Sequence, residues 1–326
     1  MRCLNPRTVG FQADGKTICW SQKSYSKEFA SFQLPCGKCI ECRLEYARTW
    51  AIRCVHEASM YEDNSFITLT YSDENLVNPK LNYEDFQLFM KRLRKRTSQT
   101  VGMFVTGEYG EKNKRPHWHA IVFNWRPADC IYQYTTDNAD RVYSSKTLGP
   151  FTPDEVSDCK SWDRQPLWPF GKCEIGQVTF KSAGYVARYA AKKLVHKDQV
   201  DDYQPISKKS SKQAIGKKFL ESYYKDIFNY GECRIDGQSM AIPRYYIKWL
   251  EKNHPDDWVK FVTETKLKKE AFAREKALRE QEEYFTAQDK KHDSGRRGNL
   301  ITRQEVKKLV INDRFKRLMS HLKGDL

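Results

Sequence analysis

Residues 115–123 read Arg-Pro-His-Trp-His-Ala-Ile-Val-Phe, and no other stretch constrains the fold as strongly. Written as a strand, its side chains alternate, so His117 and His119 share one face while Trp118, Ala120 and Val122 share the other. The apolar residues ask for burial in a sheet, which leaves two imidazoles on the reverse side in need of a reason. Two histidines one residue apart are by themselves an ordinary feature of packing and surfaces. Their neighbours decide the meaning.

Several of those neighbours carry clear periods. Residues 66–71, Phe-Ile-Thr-Leu-Thr-Tyr, put Ile67, Leu69 and Tyr71 on one face of a strand and Thr68 and Thr70 on the other. Residues 82–96 predict a helix with Asn82 as N-cap, an apolar face of Phe86, Phe89, Met90 and Leu93, and a basic opposite face. Residues 102–110 predict a second strand running into a turn that contains Glu108, residues 174–180 a further strand, and residues 182–195 a helix. A hairpin over 103–123 would return Glu108 to the histidine face, although Glu111 could serve in the same role and spacing does not choose between them. Two histidines and one carboxylate with open positions make a site for Mn²⁺ or Mg²⁺ that still has room for phosphate oxygens. Lys112, Lys114 and Arg115 would draw a polyanion toward it.

The predicted helix over 182–195 contains Tyr-Val-Ala-Arg-Tyr-Ala-Ala-Lys-Lys. Tyr185 and Tyr189 lie four residues apart and hence on one face, with Lys192 close to a turn beyond and Lys193 beside it. A tyrosine hydroxyl can attack a phosphodiester and hold it covalently, while a divalent ion polarises the phosphate and a cation stabilises the developing charge. In a chain with 18 tyrosines the plainer reading is that both are core residues of an amphipathic helix, and the histidine pair is what argues against it.

The formal charge of +15 is spread along the chain and interleaved with 18 Tyr, 17 Phe and 8 Trp, a combination that suits nucleic acid because cations track phosphates and rings stack on bases. No segment resembles a signal peptide and no apolar run approaches the roughly 18 residues of a membrane span, so a soluble, intracellular protein is expected. The ten cysteines are then reduced thiols or metal ligands. Cys36, Cys39 and Cys42 form a C-x-x-C-x-x-C run suited to a structural Zn²⁺, with Cys3, Cys19, Cys54 or His56 as the fourth ligand.

Divided by composition, the chain has a Cys-rich segment at 1–60, a core at 61–200 interrupted by a Pro-, Asp- and Ser-rich stretch at about 125–172, a basic and aromatic part at 201–252 that contains a Lys/Ser-rich loop at 205–217, and a charged helical tail at 253–326. The 125–172 stretch has little periodicity and is expected to be an insertion or surface excursion. In the tail, Thr302 and Glu305 form a capping-box signal for a last helix.

Taken in order, the strand at 66–71, the His-Trp-His strand and the two-tyrosine helix resemble the three motifs of the HUH endonucleases, the rolling-circle replication initiators. With Cys-Gly-Lys-Cys-Ile-Glu-Cys-Arg at 36–43 and Pro-Arg-Tyr-Tyr-Ile-Lys-Trp-Leu-Glu-Lys at 243–252, the pattern is similar to the replication initiators of gokushoviruses, single-stranded DNA phages of the Microviridae. The resemblance implies an α+β fold in which a central antiparallel sheet with flanking helices carries the histidines. It implies that His117 and His119, with Glu108 as third, hold the divalent metal, that Tyr185 and Tyr189 are the nucleophiles and that Lys192 assists them. It further implies origin DNA as substrate, a 5′-phosphotyrosine intermediate, a host polymerase and helicase as partners, and action in the cytoplasm of the bacterial host. No G-x-x-x-x-G-K-[ST] pattern is present, so the helicase motor would be the host's. Two other readings stay open: a two-tyrosine transposase or relaxase with the same chemistry, and a non-catalytic, zinc-stabilised DNA-binding protein in which the His117 and His119 pair is structural.

Overall fold

A computed structural model describes residue 3 and residues 5–76, 80–110, 113–192, 205–294 and 300–324; the side chains of residues 189–192, 304, 316 and 318–324 lie outside the description. Two compact units emerge, one of residues 1–45, 225–232 and 247–326, the other of residues 46–224 and 233–246.

The first unit begins with an antiparallel sheet in which β1 (Arg7–Phe11) lies between β2 (Ile18–Cys19) and β3 (Phe32–Leu34). Helix α1 (Ile40–Ala58) follows, starting directly after the cysteine run and passing into the second unit.

The second unit is built on a seven-stranded antiparallel sheet. Its elements in chain order are β4 (Asn64–Thr70), α2 (Tyr83–Arg96), β5 (Gly102–Tyr109), β6 (Pro116–Phe123), β7 (Ile131–Thr135), β8 (Arg141–Ser144), α3 (Pro153–Asp158), β9 (Cys173–Gly176), α4 (Phe180–Lys192) and β10 (Ile206–Lys209), with the strands ordered β10-β5-β6-β4-β9-β8-β7. The expected α+β class is the one found. β6 is central, paired with β5 so that Glu108 faces His117 and with β4 so that Thr68 faces His119.

Each face of this sheet has its own core. On the Trp118 side, α2 buries Phe86, Phe89, Met90 and Leu93 against Ile67, Leu69, Val105, Trp118, Ala120 and Val122. Fully burying such side chains contributes about 1.5–3 kcal/mol each. The Asn82 side chain caps α2 by accepting from the Glu84 N–H at 3.1 Å. Gly107 is required here, because a Cβ would sit 2.6 Å from the Trp118 ring. On the histidine side, Phe104, Ile121 and Phe123 are covered by Ala47, Trp50, Ala51 and Cys54 of α1 and by Ala183, Val186 and Ala187 of α4. The alanines of α4 let its backbone approach closely, and the Thr106 hydroxyl donates to the Val186 carbonyl at 3.2 Å. The helix is thereby fixed over the strand that carries Glu108.

Three expectations need correction. The strand expected over 174–180 ends at Gly176 and α4 starts at Phe180, because Thr179 caps the helix: its hydroxyl accepts from the Ser182 N–H at 3.1 Å. The expected loop at 205–217 contains β10, an edge strand on β5, whose mostly polar residues hide it from a search for alternation. The 125–172 stretch is more than a surface excursion. It supplies β7 and β8 to the sheet and buries Leu148, Leu167 and Trp168 completely, with the Trp168 indole donating to the Thr70 carbonyl at 2.7 Å. These anchors are single residues spaced along the loop, so no period announces them.

Helix α5 (Lys217–Tyr230) leads through the hairpin β11 (Cys233–Ile235) and β12 (Gln238–Met240) to α6 (Arg244–Asn253). The first unit then resumes with α7 (Pro255–Lys260), a π-helical turn over Phe261–Lys266, α8 (Leu267–Asp293) and α9 (Arg303–Gly324). The tail is helical as expected. Lys307 pairs with Glu280 at 2.8 Å, and Thr302 and Glu305 form the expected reciprocal cap. Among the described residues no helix is long and apolar enough to cross a membrane.

Candidate active site and cysteine cluster

At the end of β6 nearest its turn with β5, the histidine face becomes polar. His119 and Glu108 are both buried, and His119 Nε2 lies 2.9 Å from Glu108 Oε1 while Nδ1 lies 3.1 Å from Thr68 Oγ1. A buried carboxylate left without a partner costs several kcal/mol, so this pairing is what makes Glu108 tolerable inside the protein. Glu108 occupies the last turn-ward pair of β5, opposite His117, and not the turn in which it was expected.

His117 is half-buried. Its burial, with the positive potential of His119 and Arg115 adding to it, brings its pKa down to about 4, which leaves a neutral imidazole with a lone pair at physiological pH. Among the described residues the cysteine set treated below is the one group of three or more His, Cys, Asp or Glu donors within 4.8 Å of one another. Glu108 and His119 are therefore brought into contact, and His117 stands at the same end of the sheet without closing a tight three-donor set. The 2.9 Å between Nε2 and Oε1 suits two adjacent ligands of one ion, since bonds of about 2.1 Å at right angles put their donor atoms about 3.0 Å apart.

The turn after Glu108 is tight. The Gly110 N–H donates to the Arg115 carbonyl at 2.9 Å, the Lys114 N–H returns to the Gly110 carbonyl at 3.0 Å, and a Cβ on Gly110 would come within 3.4 Å of His117. Lys114 is exposed at φ 50°. Arg115 is held: its guanidinium donates to the Tyr71 carbonyl at 2.6 Å and pairs with Asp73. Glu111, Lys112 and Lys193 lie outside the described residues.

Helix α4 presents Tyr185 to this end of the sheet. The Tyr185 ring stands edge-on to His119, with centroids 5.0 Å apart and planes at 84°, and edge-on to Phe66 at 6.2 Å. The Arg188 guanidinium lies 6.0 Å from the Tyr185 ring centre. Tyr189 and Lys192 are on the same helix, their side chains outside the described set. Two participants are not apparent from sequence. Thr68 lies on the polar face of its strand as the period predicts, but its bond to His119 follows only from the register. Glu174 of β9 pairs across from Thr68 on that face and is bound to Lys172 at 2.8 Å, and nothing in the sequence signals it.

The cysteine cluster belongs to the first unit. The sulfurs of Cys3, Cys36, Cys39 and Cys42 all lie within 4.8 Å of one another, Cys3 to Cys39 at 3.8 Å and Cys36 to Cys42 at 4.0 Å. Zinc–sulfur bonds of about 2.3 Å in a tetrahedron require sulfurs about 3.8 Å apart, so four thiolates placed this way could hold Zn²⁺. Backbone N–H groups already point at two sulfurs, Cys36 N–H to Cys3 at 3.2 Å and Cys39 N–H to Cys36 at 3.3 Å. Burial opposes ionisation of Cys36, but the N–H groups of Cys39 and Lys38 and the neighbouring thiols outweigh it and draw its pKa down to about 6. Of the four candidates for the remaining position, Cys3 is the one present. Cys54 is wholly buried in the core over the sheet, the Cys19 thiol donates to the Ser21 carbonyl at 3.5 Å, and His56 is stacked on Phe219 with Nδ1 3.0 Å from the Tyr246 hydroxyl.

Residues 64–194, from the first residue of β4 to just past α4, match the family model of the Replication-associated protein ORF2. The chain is 41% identical over 333 residues to Replication-associated protein VP4 of Bdellovibrio phage phiMH2K, an alignment covering 99% of this chain and 100% of that one. It belongs to this family of phage replication-associated proteins. The family member is also 33% identical over 241 residues to Replication-associated protein ORF4 of Chlamydia phage 1, covering 71% of this chain and 56% of that one. With Replication-associated protein ORF2 of Spiroplasma virus 4 it shares 29% identity over 304 residues, 84% of this chain and 89% of the other. No solved structure matches it. The segment that matches the family contains Glu108, His117, His119, Tyr185 and Tyr189 together.

Proposed function

We propose that this replication-associated protein starts rolling-circle replication of a small phage genome as a metal-dependent, tyrosine-based DNA nicking and strand-joining enzyme in the host cytoplasm, with a host polymerase and helicase completing the machinery. The observation that carries this reading is the Tyr185 ring edge-on to His119, 5.0 Å between centroids, beside the buried Glu108–His119 pair at 2.9 Å. A tyrosine and a set of metal-type donors lie at one end of one sheet, within the segment that matches the family.

In this reading Glu108, His117 and His119 hold Mn²⁺ or Mg²⁺, which when bound supplies polarisation of the scissile phosphate. Thr68, bonded to His119 Nδ1, fixes the ring so that Nε2 stays aimed at the Glu108 side. The phenolic oxygen of Tyr185 or Tyr189 forms a bond to phosphorus and the bond from phosphorus to the 3′ oxygen breaks. The phenolic proton is balanced by the one gained at the 3′-hydroxyl. The phosphotyrosine conserves the bond energy, so rejoining needs no nucleotide, and a second tyrosine one turn away on α4 permits a second cleavage before the first linkage is resealed. Lys192 stabilises developing charge, while Lys112, Lys114, Arg115 and Lys193 contact DNA. The endonuclease core is assigned to residues 61–200. In the N-terminal segment Cys3, Cys36, Cys39 and Cys42 hold a structural Zn²⁺.

The test is incubation of the protein with labelled single-stranded oligonucleotides tiling the origin region of the phage genome that encodes it, with Mn²⁺ or with EDTA, followed by a denaturing gel. The expected result is a metal-dependent protein–DNA adduct at one site. Binding without an adduct on any tile would favour a zinc-stabilised DNA-binding protein without catalysis.

A further inference from the structure

The 125–172 stretch has a second consequence beside completing the sheet. Its segment 164–169 lies along α2 on the Trp118 side, where Leu167 and Trp168 join the core that α2 covers. Between them is a cleft of about 640 Å³ whose walls include Arg92, Lys95 and Arg96 of α2 and Arg164 of the loop. Beside it lies a further cleft of about 380 Å³ that shares Arg96 and Arg164 and adds Lys146 and Trp162. The histidine site is on the opposite face of the same sheet, because His117 and His119 alternate with the Trp118, Ala120 and Val122 that α2 covers.

The cations of this cleft are held in place but not neutralised. Arg92 donates one N–H to the Leu167 carbonyl at 3.0 Å and Arg96 one to the Gln165 carbonyl at 2.6 Å, which orients both guanidinium groups and leaves most of their five donors unspent. No ion pair joins Arg92, Lys95, Arg96 or Arg164 to a carboxylate among the described residues; the one acid on these walls is Asp163. Burial, and then the charges of Arg164 and Arg92, make protonated Arg96 less favourable than usual, which is the mark of like charges crowded without a counter-ion. A cleft lined by cations with little apolar floor does not suit an apolar ligand. Because two clefts run together through shared residues, the surface is a track for a chain of phosphates, with the partly covered Trp162 ring at its side.

We infer that the cleft formed by α2 and the 146–169 segment is a second DNA-binding surface, one that grips the phosphodiester backbone of a strand on the face of the sheet away from the tyrosine. This rests on the replication reading only for the identity of the polymer. The 125–172 stretch thereby holds DNA that lies outside the cleavage site.

Lys95 and Arg164 are exposed and make no structural hydrogen bond among the described residues, so Lys95→Glu with Arg164→Glu is the informative variant. The full chain is titrated in EDTA with oligothymidylates of increasing length, at several salt concentrations, and the nicking gel is run in parallel with the shortest origin oligonucleotide that forms an adduct. The wild-type protein should bind long strands more tightly than short ones. In the variant, long-strand affinity should fall on the order of tenfold and the salt slope by about 1.4, two contacts at about 0.7 each, while short-strand binding and adduct formation persist. Lys95→Gln with Arg164→Gln should show a smaller loss of the same kind, and equal melting temperatures for all three proteins separate the effect from misfolding. Unchanged affinity and slope at every length would overturn the proposal. So would an equal loss for short strands, which would put both cations at the primary site. If no adduct ever forms but the length-dependent gain still disappears in the variant, the nicking reading fails and the cleft stands.

Discussion

Four cysteines in one unit and Glu108, His117 and His119 in the other are the two donor sets of the molecule, and they differ in how fully each is assembled. The sulfurs of Cys3, Cys36, Cys39 and Cys42 are already at near-tetrahedral separations, with nothing else required to complete four ligands. In the second set one carboxylate and one imidazole touch at 2.9 Å while His117 stands apart from a tight cluster, and a tyrosine ring lies edge-on to His119 at 5.0 Å. A closed set is a structural device, because no position is left for a substrate; an incomplete set that adjoins a nucleophile has the openness that catalysis needs. The contrast assigns different consequences to mutations that look alike on paper.

The largest effect belongs to the open set. Tyr185→Phe with Tyr189→Phe should abolish the covalent adduct while the protein still folds and binds DNA; an adduct that persists in the double variant would remove both tyrosines from the nucleophile role. Either single change should impair multiple turnover. Next, His119→Ala or His117→Ala should lower the cleavage rate by on the order of 10²–10³-fold and leave DNA affinity in EDTA nearly intact, since the loss is one of charge stabilisation in the transition state. If His117→Ala cleaves normally and His119→Ala does not, the metal is held by the Glu108–His119 pair and His117 is a bystander.

The closed set should fail differently. Cys3→Ser should reduce bound zinc, measured by elemental analysis of the purified full chain, from one equivalent toward none and lower the melting temperature, with EDTA treatment of the wild type reproducing the shift. A wild-type protein that carries no zinc, and whose melting is insensitive to Cys3→Ser, would erase the comparison. His56 supplies an internal control. It is a buried imidazole that the sequence offers as a zinc ligand, yet it faces only Phe219 and the Tyr246 hydroxyl. Burial lowers its pKa from 6.5 to about 4, so above that window both folded and unfolded chains are neutral here, and below it the unfolded chain takes up a proton that the folded one refuses. Stability should therefore fall as the pH drops from about 6.5 toward 4, by on the order of 3 kcal/mol from this residue. His117 titrates in the same window, so the quantity to read is the difference between the melting curves of the wild type and His56→Gln, which should narrow as the pH falls.

The parts legible in the sequence are those in which one period decides one element. The alternation around Trp118 gave β6 its two faces, and Phe86, Phe89, Met90 and Leu93 gave α2 its buried side. What remained hidden depends on register or on single distant residues. Whether Glu108 lies in a turn or faces His117 from β5 is a matter of one or two residues at a strand end, and only pairing decides it. Cys3 is 33 residues from Cys36 and indistinguishable in sequence from Cys19 or Cys54. The basic cleft is assembled from one face of α2 and a loop without periodicity, so its arginines read as an ordinary solvated face until Leu167 and Trp168 anchor the loop against the helix.

The smallest expected effect tests whether the open site meets DNA at the β5–β6 turn. Lys114 is exposed there and Arg115 is fastened by Asp73 and the Tyr71 carbonyl, two adjacent cations that composition cannot tell apart. Lys114→Ala should reduce the salt slope of single-strand binding by about 0.7, the contribution of one phosphate contact, and leave the melting temperature unchanged. Arg115→Ala should do the reverse in the main, loosening the turn that orders His117, because its guanidinium is already committed to protein oxygens. A fall in slope for Arg115→Ala equal to that for Lys114→Ala would mean that the Asp73 pairing yields to phosphate when DNA arrives, and would make the Arg115–Asp73 pair part of the DNA-binding surface.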